Sequence, residues 1–282
     1  MIKTWALAWG IRRFIISRPL NDYDSIAIAE IAIYAFIFIG ALILCKNHGF
    51  GRNAGWFYLV ILSLARLIGS SLLLASVNDP NNTSLYIGWL TLNGIGLGPL
   101  ILTLLGLLSR SFDSMNRKGH VIVKPIHQRA IQLLMLVAII LLAVGGSNSN
   151  YTLNAGAPKI QYSTESKVGV ILMIVVMVLL VLQTVLAFRN QGYISQGEHR
   201  LLIAITASLP FVIVRLAYTC LLILGGHKQT VWTYLGAGVI MEIMVAIICE
   251  AVGFTLDKAP EPAKYDEVPM KPRGSTGSAQ RV

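Results

Sequence analysis

Seven runs of apolar residues, each close to the ~20 residues a helix needs to cross ~30 Å of hydrocarbon, take up most of this chain. They fall at roughly 25–45, 55–77, 85–109, 128–146, 167–188, 200–224 and 232–256. In hydrocarbon every backbone N–H and C=O must be bonded within the protein, so only helices and closed barrels span. The runs are continuous and lack the alternation of barrel strands, so helices are expected. A mean hydropathy of +0.67 with 13% charged residues excludes an ordinary soluble domain. The expected fold class is an all-α membrane protein, a seven-transmembrane-helix bundle over residues 25–256. Residues 1–24 form an N-terminal segment, and 257–282, with Pro260, Pro262, Pro269 and Pro272, read as a disordered tail.

Orientation follows from where Lys and Arg fall. The loops 46–54, 110–129 and 189–200, with the tail after 257, hold fourteen of the 23 basic residues. The loops 78–84, 147–167 and 225–231 hold three. That asymmetry predicts a multi-pass protein with its N-terminus outside and its C-terminus in the cytoplasm, against the dissent of Lys3, Arg12, Arg13 and Arg18. The net charge of +10 is then mostly cytoplasmic loop charge facing anionic lipid, and the bilayer, not nucleic acid, is the expected partner. Of the sequons on the outer side, Asn150-Tyr151-Thr152 lies in the one loop with room for a glycan, which makes Asn150 the expected acceptor in a secretory membrane. Cys45, Cys220 and Cys249 lie within or at the ends of spans and read as small packing residues.

Inside the apolar runs a few polar residues stand out. Arg66 and Arg215 are 149 positions apart, and Ala65–Leu73 reads against Val214–Leu222. At the same offset Asn93 of the third span falls on Glu242 of the last. An arginine at membrane depth costs about 2.5–3.5 kcal/mol on insertion scales. Two in related positions point to a polar site in a bundle of similar halves, spans 1–3 and 5–7 joined by span 4. Three crossings per half and one between them give both halves the same orientation, a 3+1+3 layout of parallel repeats.

Glu30, Arg66, Asn93, Arg215 and Glu242 all fall between the midplane and the outer face. The charges cancel in two pairs, so one cluster is expected, each guanidinium reaching a carboxylate or Asn93. Glu250, near the inner end of the last span, can reach cytoplasmic water. Gly69 and Ser70 follow Arg66 at i+3 and i+4, and Tyr218 and Thr219 follow Arg215 likewise, so each arginine faces hydrogen-bonding or small neighbours. The candidate ligand-binding set is Arg66, Arg215, Glu30, Glu242, Asn93 and Tyr218, with a structural ion-pair lock as the competing account. Gly94-Ile95-Gly96-Leu97-Gly98-Pro99 lies inside a span and suits close helix contact and a kink, as Pro210 suits a bend. No metal-binding helix motif, phosphate loop or serine elbow occurs, so no cofactor, metal or catalytic residue is expected.

Several segments resemble a family of fungal seven-helix membrane proteins described only as a domain of unknown function. They are Ala29–Tyr34, His48–Trp56, Ser63–Ser70, Gly94–Leu100, Gly106–Arg110 and Arg215–Tyr218. The resemblance implies a fungal source and seven helices, and brings no activity or catalytic residues. The layout is loosely similar to fungal lipid-translocating exporters, an analogy of fold alone.

Three functions compete at this point. The leading one is binding or transport of a small amphipathic or anionic molecule through an outward-facing polar cavity. A seven-helix sensor is the second, weakened because Ser109-Arg110-Ser111 lacks the acidic-arginine-aromatic switch of the major receptor class. The third is a membrane enzyme of terpene-cyclase type, for which carboxylates paired with arginine are poor proton donors.

Overall fold

The structure is a computed structural model describing residues 19–48, 55–79, 82–117, 123–154, 157–193, 199–226 and 229–256. The tail after 256, most of the N-terminal segment, and Asn81 lie outside these residues. Seven helices are long and apolar enough to cross a membrane. The first two are α1 (Asp22–His48) and α2 (Trp56–Asn78). The third span is broken into α3 (Thr83–Ile95) and α4 (Leu97–Arg117). Then come α5 (Pro125–Ser147), α6 (Thr164–Arg189) and α7 (His199–Ile223). The seventh span is a composite of α8 (Val231–Thr233), a π-helical stretch Tyr234–Ile240, and α9 (Met241–Thr255).

The helix starts carry local signals. Asn21 and Asp24 cap α1 reciprocally, the Asn21 N–H donating to Asp24 Oδ2 at 2.9 Å and the Asp24 N–H to Asn21 Oδ1 at 3.2 Å. Ser163 Oγ accepts from the Ser166 N–H ahead of α6, and Thr230 and Thr233 form a capping box at α8. Gly55, before α2, has φ +77°, and a Cβ there would lie 2.8 Å from the Thr103 carbonyl oxygen of α4. Glycine is needed at this entry for both its backbone and its contact.

The third span supplies the axis of the bundle through its second part, α4. Its most apolar stretch is 72% buried, against 28–50% for the other six. α4 packs on α2, α5, α6, α7 and α9, while the remaining helices run around it in chain order from α1 and α2 through α3, α5, α6 and α7 to α9, which returns to α1. Leu97, Leu100, Ile101, Leu104, Leu107, Leu108 and Phe112 of α4 are fully buried. The outer ring turns Phe36, Val178, Leu182 and Ile213 outward, an exposed apolar surface of the kind a lipid-facing helix presents.

Two features depart from the sequence expectation. The third span continues to Arg117, two turns past the expected end at 109, because Ser109, Ser111 and Ser114 are buried against neighbours instead of facing a cytoplasmic loop. Ser109 Oγ donates to Gln128 Oε1 of α5 at 2.6 Å. The 147–167 loop holds an antiparallel hairpin, β1 (Asn150–Asn154) and β2 (Ala157–Gln161), with Asn150 opposite Gln161. Only the backbone of Asn150 is described, so its side chain lies outside the described atoms. Pro210 lies within α7.

Candidate functional site

The polar residues scattered through the apolar runs converge. Arg66 projects from midway along α2, where Glu242 of α9 meets it with both carboxylate oxygens. Its Nε donates to Glu242 Oε1 at 2.5 Å and its Nη2 to Glu242 Oε2. Arg66 Nη1 donates to Asn93 Oδ1 of α3 at 2.6 Å and lies 3.8 Å from Glu30 Oε1 of α1. Fork-to-fork contact of this kind is the strong form of a carboxylate pair. Arg215 of α7 is held differently. Its Nε reaches Glu242 Oε2 at 3.4 Å, its Nη1 donates to Thr219 Oγ1 at 3.0 Å, and its Nη2 donates to the Asn93 backbone carbonyl at 2.9 Å.

Arg66, Asn93, Arg215 and Glu242 therefore close a ring in which both arginines touch both Asn93 and Glu242. One member comes from each of α2, α3, α7 and α9. Glu30 is attached to the side. It accepts from Ser70 Oγ at 2.7 Å and from Tyr234 Oη at 3.3 Å. Tyr34 donates to Glu242 Oε1 at 2.9 Å. Glu242 is 0% exposed, Glu30 and Arg215 1%, Arg66 4% and Asn93 6%. At such burial an unpaired charge is costly, which is why two cations and two anions sit together.

Both irregular helices meet at this ring. The break at Gly96 places the Asn93 carbonyl in the last turn of α3, where helix carbonyls lack a partner further along and the dipole favours a cation. Arg215 fills that role. A Cβ on Gly96 would sit 3.1 Å from Arg66 Nη2, so the break also makes room for the guanidinium. The π-helical stretch carries Tyr234, whose ring is wedged against Tyr23 and Trp89 with centroids 5.7 and 5.8 Å away. Isolated π turns of this sort recur at functional positions.

Beside the ring, toward the end of the bundle that bears the hairpin, lies a pocket of about 30 Å³. Leu90, Asn93 and Gly94 of α3, Arg215, Tyr218 and Thr219 of α7, and Gln229 are among its lining residues. The Tyr218 ring lies under the Arg215 guanidinium, 5.4 Å from ring centroid to Cζ. Tyr218 Oη and Gln229 Nε2 are buried and have no hydrogen-bond partner among the described residues. A larger apolar groove of about 300 Å³ between α6 and α7 is lined by Ile174, Met177, Val178, Val181, Leu182, Ile213 and Leu216, without a polar side chain.

All six residues singled out from sequence lie at this place: Arg66, Arg215, Glu30, Glu242 and Asn93 in the cluster, Tyr218 at the pocket. Glu250 stays apart, half-buried against Gly40 of α1. Sequence reasoning missed Tyr34, Tyr234 and Gln229. Tyr34 had a signal, since it follows Glu30 at i+4 and shares its helix face. Tyr234 and Gln229 had none, because a π turn and a loop approach leave no periodic trace. Among the described residues no group of His, Cys, Asp and Glu side chains has metal-site geometry.

A family model described as "Domain of unknown function (DUF7702)" matches residues 20–259. The chain belongs to that family. The match takes in all seven spans, both irregular helices and every member of the ring, so the site lies wholly inside the family's domain. No curated protein and no solved structure matches the chain.

Proposed function

We propose that this integral membrane protein binds or transports a small amphipathic or anionic molecule, received in the pocket beside Arg215. The observation that carries the proposal is a small pocket beside the charged ring that has two unpartnered buried polar atoms on its lining residues. Arg215, Tyr218 and Gln229 are among its lining residues, and Tyr218 Oη and Gln229 Nε2 are buried polar atoms without a partner among the described residues. Buried donors left unmet cost about 1–3 kcal/mol each, so a ligand rich in acceptors would be favoured. Leu90, Leu222 and Ile223 supply apolar walls suited to a hydrocarbon portion. We further propose that the hairpin end faces outward, on the strength of the fourteen-to-three distribution of basic residues. The fungal source remains a proposal resting on the sequence resemblance.

A second reading, the ring as a structural clamp on α1, α2, α3, α7 and α9, is favoured by the completeness of its bonding and the small size of the pocket. One substitution separates the two. Gly94 lines the pocket, and a Cβ placed on it meets nothing within 4 Å. Gly94→Leu should fill the pocket and leave the ring untouched. With octanoate as probe and the protein in lipid nanodiscs, binding to wild type and a loss of at least tenfold in Gly94→Leu are expected. Equal binding by both proteins, or none by wild type, leaves the clamp.

A further inference from the structure

We infer that occupation of the Arg215 pocket by a monocarboxylate is coupled to uptake of one proton by Glu30, so that ligand and proton bind together. The inference rests on the pocket proposal and specifies its ligand and coupling. It begins from charge balance. Arg66 and Arg215 against Glu30 and Glu242 sum to zero, and each of these four is at most 4% exposed. A carboxylate entering beside Arg215 would leave one uncompensated negative charge in a medium that tolerates none cheaply. A proton from bulk water restores neutrality.

The ring is asymmetric in a way that decides where the proton goes. Glu242 faces the Arg66 Nε and Nη2 and the Arg215 Nε. Guanidinium N–H groups have no lone pair, so a protonated Glu242 would turn its O–H against donors, with only the Tyr34 hydroxyl on Oε1 able to accept. Glu30 is surrounded otherwise. Its direct partners are the hydroxyls of Ser70 and Tyr234, and the nearest cation, Arg66 Nη1, is 3.8 Å away and bonded to Asn93. Hydroxyls donate to a carboxylate and accept from a carboxylic acid, so Glu30 keeps its partners in either state. The titratable and charged groups around it are Arg66 from α2, Glu242 from α9, Tyr234 from the π-helical stretch and Tyr34 on its own helix; Asn93 from α3 is neutral.

Pocket size and lining select a monocarboxylate. About 30 Å³ admits roughly two water-sized groups, which matches the two oxygens of a carboxylate head. A dianion would need two protons, and only one carboxylate has hydroxyl-only hydrogen-bond partners.

The test is titration calorimetry of the full-length protein in nanodiscs, in two buffers of different ionisation enthalpy, with empty discs as control. Octanoate is the probe for a membrane-partitioned acid and acetate for a soluble one; the tighter binder identifies the source. Wild type should take up one proton per carboxylate bound, with affinity falling about tenfold per pH unit over the coupled range. Glu30→Gln, which keeps acceptor and donor capacity for Ser70 and Tyr234, should bind with no proton uptake and no pH dependence. Binding by wild type without proton uptake overturns the coupling and leaves the pocket proposal standing. Proton uptake that persists in Glu30→Gln overturns the assignment to Glu30. Absence of binding by either probe sinks the pocket proposal and this inference with it.

Discussion

Replacing Arg66 by methionine probes the ring most directly. Methionine matches the arginine side chain as far as Nε, so the change removes the charge and five donors while retaining the apolar stem. Glu242 would lose its fork-to-fork partner and keep Tyr34 at 2.9 Å and Arg215 at 3.4 Å, while Asn93 Oδ1 would lose its donor. Breaking one side of a buried pair costs about 3–5 kcal/mol, because the surviving charge stays buried. For a chain of this size that corresponds to a fall in Tm on the order of 10 °C. Glu242→Leu should cost at least as much, since it strips both arginines of their bonded carboxylate and leaves only Glu30 near Arg66. The double variant Arg66→Met with Glu242→Leu should recover about half or more of the Arg66→Met loss. It retains one cation and one anion, and apolar replacement of a whole buried pair is often neutral. The assay is thermal unfolding in one detergent, following monodisperse protein by size-exclusion after heating. An Arg66→Met protein melting within about 2 °C of wild type, or a double variant whose losses simply add, would refute the reasoning.

Two further outcomes concern topology and modification. A tag after Val282 should resist protease in sealed right-side-out vesicles and become accessible when they are permeabilised; digestion from outside would reverse the orientation. Made in a secretory membrane, wild type should shift on glycosidase treatment and Asn150→Gln should not; unchanged migration of both would remove Asn150 as an acceptor.

Much of the site was legible because hydrocarbon is an unforgiving solvent. Four charges inside apolar runs had to meet, whatever the details, and the shared 149-residue offset singled out Asn93 as well. The partner choice was not legible. Whether Arg66 or Arg215 holds Glu242 with two bonds depends on the lateral order of α2, α7 and α9, and helical periodicity says nothing of lateral order. The Gly94–Pro99 segment announced an irregularity, but not that its freed carbonyl would be taken by Arg215.

By itself the sequence determined the seven spans, the membrane class and the meeting of the buried charges. Each follows from local quantities: run length, composition and the cost of an unpaired charge. Only the tertiary structure decided that α4 is the axis, that Tyr34 and Tyr234 join the carboxylates, and that a small pocket lies beside Arg215. The physical reason is that these depend on side-chain packing between helices far apart in the chain. Lipid offers no hydrophobic gradient to rank such packings, so close fit and buried hydrogen bonds select among them.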